Sequence, residues 1–333
     1  MRQIGTLALA AAVSLALLTT GASGSSRQLR VALVADVVPT DPHDCRNIAY
    51  RGFRRAVREF GVQGRLVLYN PITGPIPTIR SLAQQKYDLI IANPLFQGSE
   101  YAAIAARFPQ SKFAMPDVPY QALPRRLKNV QGTIWRVEQP AYLAGYLAAL
   151  MEKRRPGKDV VGSVNGFPYA NQDFVAGYEA GARRADHGVR TLRGYSREWL
   201  DPAKCKAVAL SQIGKGAGAV FNVAGACGVG TLRAAKAKGV WGIGVDVDQS
   251  FLGPHILTSV LKNYDLDGYR TVEALVQGRL KTGGNDVLSL RNGGVGLGRI
   301  NSKVPRSFVR RVEKIREQII AGKIKPPNPL PWR

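Results

Sequence analysis

Cysteine, methionine and histidine each occur only three times in 333 residues, and tryptophan four times. His43, His187 and His255 show no metal-ligand spacing, and no nucleophile lies beside a base in a recognisable motif. Neither a metal site nor a catalytic one is therefore expected, and no cofactor. Long apolar runs are missing after Leu18, so no later stretch is expected to cross a membrane. Acidic residues are also few, 23 against 47 basic, which gives a net charge of +24. Such a balance ordinarily raises nucleic acid as a partner.

The N-terminus argues otherwise. Arg2 precedes an apolar run from Leu7 to Leu18, and Ala22, Ser23 and Gly24 supply small residues for cleavage. Residues 1–24 read as a signal peptide, which places the mature chain in the periplasm or on the outer face of the membrane, away from nucleic acid. No cysteine follows the run directly, so no lipid anchor is expected. The basic residues are spread over Arg51–Arg58, Arg125–Lys128, Lys153–Lys158 and the region from Arg306 onward. They suit an anionic membrane or envelope surface, or simply a basic exported proteome.

What is present is regular alternation. Apolar strands at Leu29–Ala35, Arg65–Tyr69, Asp88–Ala92 and Lys112–Met115 alternate with helical spacing at Arg46–Phe60, Ile76–Gln85 and Gln97–Arg107. The series restarts with strands at Val130–Arg136, Val160–Asn165, Arg190–Gly194, Ala219–Val223 and Val240–Val245 and the helices between them. Alternation of this kind makes βαβ units and parallel sheets covered on both faces. Two complete sets predict an α/β protein of two doubly wound lobes with a ligand cleft between them. The first lobe is expected from 27–137 with about 262–284, the second from 138–261 with about 285–325, and an extended tail over 326–333. Gly283–Ile300 reads as a small hairpin, and Val309–Ile320 as an amphipathic surface helix.

The unit from Ala219 to Gln249 holds a glycine turn (Gly225, Gly228, Gly230) and ends on Asp246 and Asp248. Parallel βαβ units put their ligand site at the carboxyl ends of the strands. The turn could bring backbone N–H groups to a nucleotide cofactor, making the protein an enzyme, or could serve only helix packing. Cys205 and Cys227 fall at the same rim in neighbouring units and are expected to form a disulfide, leaving Cys45 free or blocked.

Five segments, DLIIANPLFQG with KFAMPD, NVQGTIWRVEQPAYLAGYLAAL, VGSVNGFPYANQDFVAGYEAGA, AGACGVGTLRAAKAKGVWGIGVDVDQ and ILTSVLKN, occur in order over nearly the whole mature chain. Together they resemble the basic membrane protein (BMP) family of ABC-transporter substrate-binding proteins, which have the type I periplasmic binding fold and include purine nucleoside receptors. The resemblance implies a solute-binding protein that takes a nucleoside-like or other small hydroxylated, sugar-like ligand and passes it to an ABC permease, and not an enzyme. A sensor that hands the closed state to a signalling partner is the other reading.

By the same resemblance Asp117, Asp246 and Lys262 hold ribose hydroxyls, Phe174 stacks on the ligand, and Gly228 and Gly230 face the cleft. Each has a plainer alternative: Phe174 as core, Lys262 as a solvated lysine, Asp248 as a cap. The family's D-x-S-F-N-Q run is altered here to Pro42, His43, Asp44, Cys45, Arg46 and Asn47. Cys45 replaces the stacking ring, a loss on the order of 1 to 3 kcal/mol per base. Arg46, beside Asn47, could instead receive a carboxylate or phosphate, or stack its guanidinium on a ring.

Overall fold

The computed structural model describes residues 27–330 apart from 37, 39, 92–97 and 158. The signal peptide expected over 1–24 and the last residues of the tail lie outside the described residues.

The chain order is β1 (Arg30–Ala35), α1 (Cys45–Phe60), β2 (Gln63–Leu68), α2 (Ile76–Gln84), β3 (Leu89–Ile91), α3 (Gly98–Arg107), β4 (Lys112–Met115), β5 (Val130–Trp135) and α4 (Glu138–Glu152). It continues with β6 (Val160–Asn165), α5 (Gln172–Ala185), β7 (Arg190–Tyr195), α6 (Pro202–Gly214), β8 (Ala219–Val223), α7 (Val229–Lys238) and β9 (Trp241–Asp246). The last elements are β10 (Ile256–Lys262), α8 (Tyr264–Val276), β11 (Gly284–Leu288), β12 (Val295–Leu297) and α9 (Arg306–Ile320).

Among the described residues the strands form two six-stranded sheets, ordered β2-β1-β3-β4-β5-β11 and β7-β6-β8-β9-β10-β12. The two orders correspond strand for strand, so β4 and β9 hold the same rank, as do β5 and β10. All pairings in the first sheet are parallel. In the second, only β12 runs antiparallel, with Lys262 opposite Val295. Central strands such as β5, β6 and β8 are buried along their whole length, with a few polar residues (Gln131, Thr133, Ser163, Asn165 and Asn222) among the apolar ones.

Local chemistry sets the helix ends. Asp44 caps α1 by accepting from the Arg46 amide at 2.7 Å, and Gly61, at φ 62°, ends it. The α4 helix is buried on nearly every side, because it lies between the second sheet, α5 and α9. Its closest neighbour is α5: a Cβ on Gly145 would fall 1.9 Å from the Tyr178 carbonyl oxygen, and one on Gly181 1.9 Å from that of Tyr142. Only glycine permits that approach.

The chain passes between the sheets three times, after β5, after β10 and between β11 and β12. These crossings are hydrogen-bonded to one another: Arg136 N donates to Leu288 O at 2.8 Å, Asn263 N to Gly294 O at 2.8 Å, and Leu290 N to Gln139 Oε1 at 2.9 Å. The third crossing departs from the sequence expectation. No hairpin forms over Gly283–Ile300; β11 extends the first sheet beside β5, and β12 joins the second. The passage therefore falls at Ser289–Gly294, and residues expected in the second lobe from 285 begin in the first sheet. Parallel pairing of Gly284–Leu288 with Gln131–Trp135 satisfies its backbone where a hairpin would have left β5 an open edge.

Candidate functional site

The carboxyl ends of β4 and β9 face each other across the cleft, and each delivers an aspartate. Asp117 lies two residues beyond β4 and Asp246 is the last residue of β9; their φ angles are 61° and 65°. Left-handed backbone is uncommon for a residue with a side chain and costs roughly 1 kcal/mol or more. The two acids thus share sheet rank, position and strain.

Lys262 ends β10 and reaches between them. Its Nζ lies 2.9 Å from Asp117 Oδ1 and 3.8 Å from Asp246 Oδ1. The lysine side chain is 14% exposed. Burial opposes its charge, but Asp117 and then Asp246 outweigh that effect and hold the ammonium above its usual range. Burial pushes the Asp246 carboxyl up, with Lys262 pulling the other way. Asp246 Oδ1 is enclosed yet accepts no hydrogen bond among the described residues. An acceptor of that kind is suited to a ligand hydroxyl.

Rings close the cluster. The Lys262 ammonium sits 5.7 Å from the Phe174 ring centre and 6.0 Å from that of Trp135. Phe174 is 3% exposed and packs at 6.3 Å on Phe221, so it is a wall of the core as much as a surface for stacking. Tyr264 lies against Trp135 at 5.2 Å, and burial followed by Asp246 raises its phenol well above the ordinary value. Trp135 and Tyr264 were not anticipated from sequence. The signal was available in part, since Trp135 ends β5 at the rank that Lys262 occupies on β10.

The first-lobe residues behave differently from the expectation. The Arg46 guanidinium is held by Asp44, at 2.9 and 2.5 Å, and by Asp36 at 2.8 Å. It is therefore engaged by two carboxylates of its own chain, where a ligand's carboxylate or phosphate, or a ring, was expected. Asn47 is half-buried in the first turn of α1. Cys45 opens that helix, and burial, then Asp246 and Asp44, push its thiol up to about 12. A thiol so raised stays protonated at neutral pH and is not a ready nucleophile.

The glycine turn also differs. A Cβ on Gly228 would fall 1.5 Å from Asn222 Oδ1, and one on Gly230 1.8 Å from the Pro202 carbonyl oxygen. Both glycines allow close packing, Gly230 that of α7 on α6, the plainer role that the sequence left open. The same join carries a disulfide between Cys205 and Cys227, with Cα atoms 5.6 Å apart, and the Cys227 amide donates to Trp199 O at 2.8 Å. Asp248 accepts from the amides of Ser250 at 3.0 Å and Arg299 at 3.1 Å and is a cap. At the mouth, His43 stacks on Phe251 with ring centres 3.9 Å apart, joining the loop before α1 to the segment after β9.

A family model described as "ABC transporter substrate-binding protein PnrA-like" (Bmp) matches residues 43–328. Basic membrane protein B of Borrelia garinii subsp. bavariensis is 30% identical over 310 residues, covering 90% of this chain and 88% of that one. The ABC transporter nucleoside-binding protein BmpA of Lactococcus lactis subsp. cremoris is 27% identical, with 92% of each chain covered. Among solved structures, an ABC transporter solute-binding protein from Aeropyrum pernix superposes with a TM-score of 0.73 at 24% identity, over 90% of this chain and 94% of that one.

Proposed function

The chain belongs to the Bmp family of PnrA-like substrate-binding proteins and binds solute for an ABC importer, and we propose that its ligand is a neutral nucleoside or a similar hydroxylated, sugar-like molecule. The observation that carries this reading is the placing of one lysine between two carboxylates from opposite sheets, with Asp246 Oδ1 ion-paired at 3.8 Å but accepting no hydrogen bond. A carboxylate accepts from two vicinal hydroxyls at once, and an ammonium donates to ring or hydroxyl oxygens. With Lys262 shared by two aspartates and Arg46 by two more, no cation at these positions is left to neutralise an anionic ligand. Charge therefore favours an uncharged solute.

The Lactococcus relative is named as nucleoside-binding, in keeping with this choice. Binding closes the lobes about the three bonded crossings, and the permease reads the closed form. The chain acts as a binder without catalysis. Among the described residues no helix is long and apolar enough to cross a membrane, and export rests on the signal peptide read over 1–24. The matching experiment is thermal unfolding of the mature protein against nucleosides, sugars and small acids. A ligand at a hundred times its Kd adds about 2.7 kcal/mol. A nucleoside response abolished by Asp246→Ala supports the proposal; a response confined to organic acids overturns it.

A further inference from the structure

A second concavity lies away from the cleft, on the outer side of the second lobe. Tyr146 of α4, Arg184 of α5 and Arg311, Lys314, Ile315 and Gln318 of α9 line a cavity of about 360 Å³. Three cations meet there, and among the described residues no carboxylate pairs with any of them. Several neighbouring charges are matched: Arg183 and Arg193 with Glu179, Lys153 with Asp186 at 3.3 Å, and Arg316 with Glu313 at 2.6 Å. Glu179, Asp186 and Glu313 are thus already engaged, and the three cations of the cavity repel one another.

Arg311 is also fixed in place. Its Nε donates to the Tyr146 hydroxyl at 3.2 Å, and the guanidinium carbon lies 5.6 Å from the Tyr146 ring centre and 6.0 Å from that of Phe308. Held by its Nε edge and by two aromatic rings, the guanidinium keeps its terminal N–H groups for an outside acceptor. Paired Arg and Lys groups in a concave setting match the several oxygens and the charge of a phosphate.

We propose that this cavity binds a phosphate group, that of an anionic phospholipid headgroup or of a soluble phosphate. The shared chemistry is a phosphoryl anion held by Arg184, Arg311 and Lys314. The cavity is independent of the cleft ligand, since none of its lining residues belongs to the Asp117, Asp246 and Lys262 cluster.

The test uses the whole mature chain in phosphate-free buffer. Co-sedimentation with phosphatidylcholine vesicles, with and without phosphatidylglycerol, is run beside calorimetric titration with inorganic phosphate. Two variants are compared with the parent: Arg184→Gln/Arg311→Gln/Lys314→Gln, and a control, Lys206→Gln/Arg233→Gln/Lys238→Gln, that removes the same charge elsewhere. Loss of three charge-assisted contacts should weaken binding by at least about tenfold in the first variant and much less in the control. Binding to phosphatidylglycerol vesicles alone identifies the headgroup as source, and binding of inorganic phosphate as well identifies the soluble anion. A charge-reversed pair, Arg184→Glu/Lys314→Glu, checks the same loss in a second background. Equal weakening in variant and control, or a parent chain that binds neither probe, overturns the proposal.

Discussion

Lys262, at the end of a strand in the second sheet, donates to Asp117 beyond a strand in the first, at 2.9 Å. The bond spans the two lobes, so the group that would meet a ligand also ties the lobes together. Asp246, 3.8 Å from the same ammonium, completes a site assembled only when the sheets approach.

Lys262→Met should leave two enclosed carboxylates facing each other. Breaking a buried pair costs about 3 kcal/mol or more. Urea unfolding should show that loss, and Asp117→Asn in the same chain should recover part of it. Full stability in the single variant would mean that the pair contributes little.

Phosphorylation of the ligand should abolish binding. A nucleoside monophosphate brings two negative charges toward Asp117 and Asp246, and repulsion in a part-enclosed site costs on the order of several kcal/mol. Calorimetry comparing a nucleoside with its monophosphate reads this directly, and comparable affinities would contradict the charge argument.

Asp267 should make stability depend on pH. It is 4% exposed, with Oδ1 unpartnered; burial, then Asp286 and Asp117, push its carboxyl from 3.8 up to about 8, with Arg270 opposing. Between those values the folded chain holds a proton that the unfolded chain has released. Its contribution is therefore fully present below about 3.8 and declines as pH rises to about 8. Asp267→Asn should gain on the parent as pH is raised through that window, measured by urea midpoints at either end. A constant difference between the two proteins would remove Asp267 as the source.

The Cys205–Cys227 bond closes a separation of 22 residues. Loop-closure entropy for such a span is worth about 3 kcal/mol, so Cys205→Ala/Cys227→Ala should lower unfolding stability by about that amount. Alkylation of the unreduced, unfolded chain should add a single label, on Cys45, by intact mass; three labels would show that the bond is absent.

Phe251→Ala should shorten the life of the bound state. Its stack on His43 joins the two lobes at the mouth of the cleft, and an aromatic pair adds about 0.5 to 1.5 kcal/mol. Stopped-flow release should quicken about two- to tenfold with little change in association rate. An unchanged release rate would make the stack incidental.

The alternating elements were legible in the sequence because parallel strands covered on both faces are predominantly apolar, as in β1, β3 and β8. The end of a strand pointed to Asp246, and the family resemblance added Asp117 and Lys262. Glycines were ambiguous, since a missing side chain serves a ligand and a neighbouring helix equally well, and only the approach of Pro202 to Gly230 separates the cases. The pairing of Arg46 with Asp36 spans ten residues and exists only in the fold, so no local pattern reveals it. Strands β11 and β12, of five and three residues among glycines, carry too little pattern to reveal that they join different sheets.

The left-handed backbone at Asp117 and Asp246 has an evolutionary side. Glycine would relieve the strain at either place, about 1 kcal/mol or more, and at Asp246 would also remove a charge that burial disfavours. A lineage released from selection for its solute should therefore drift toward glycine at these two sites. Aspartate retained at both would mark the descendants that still capture it.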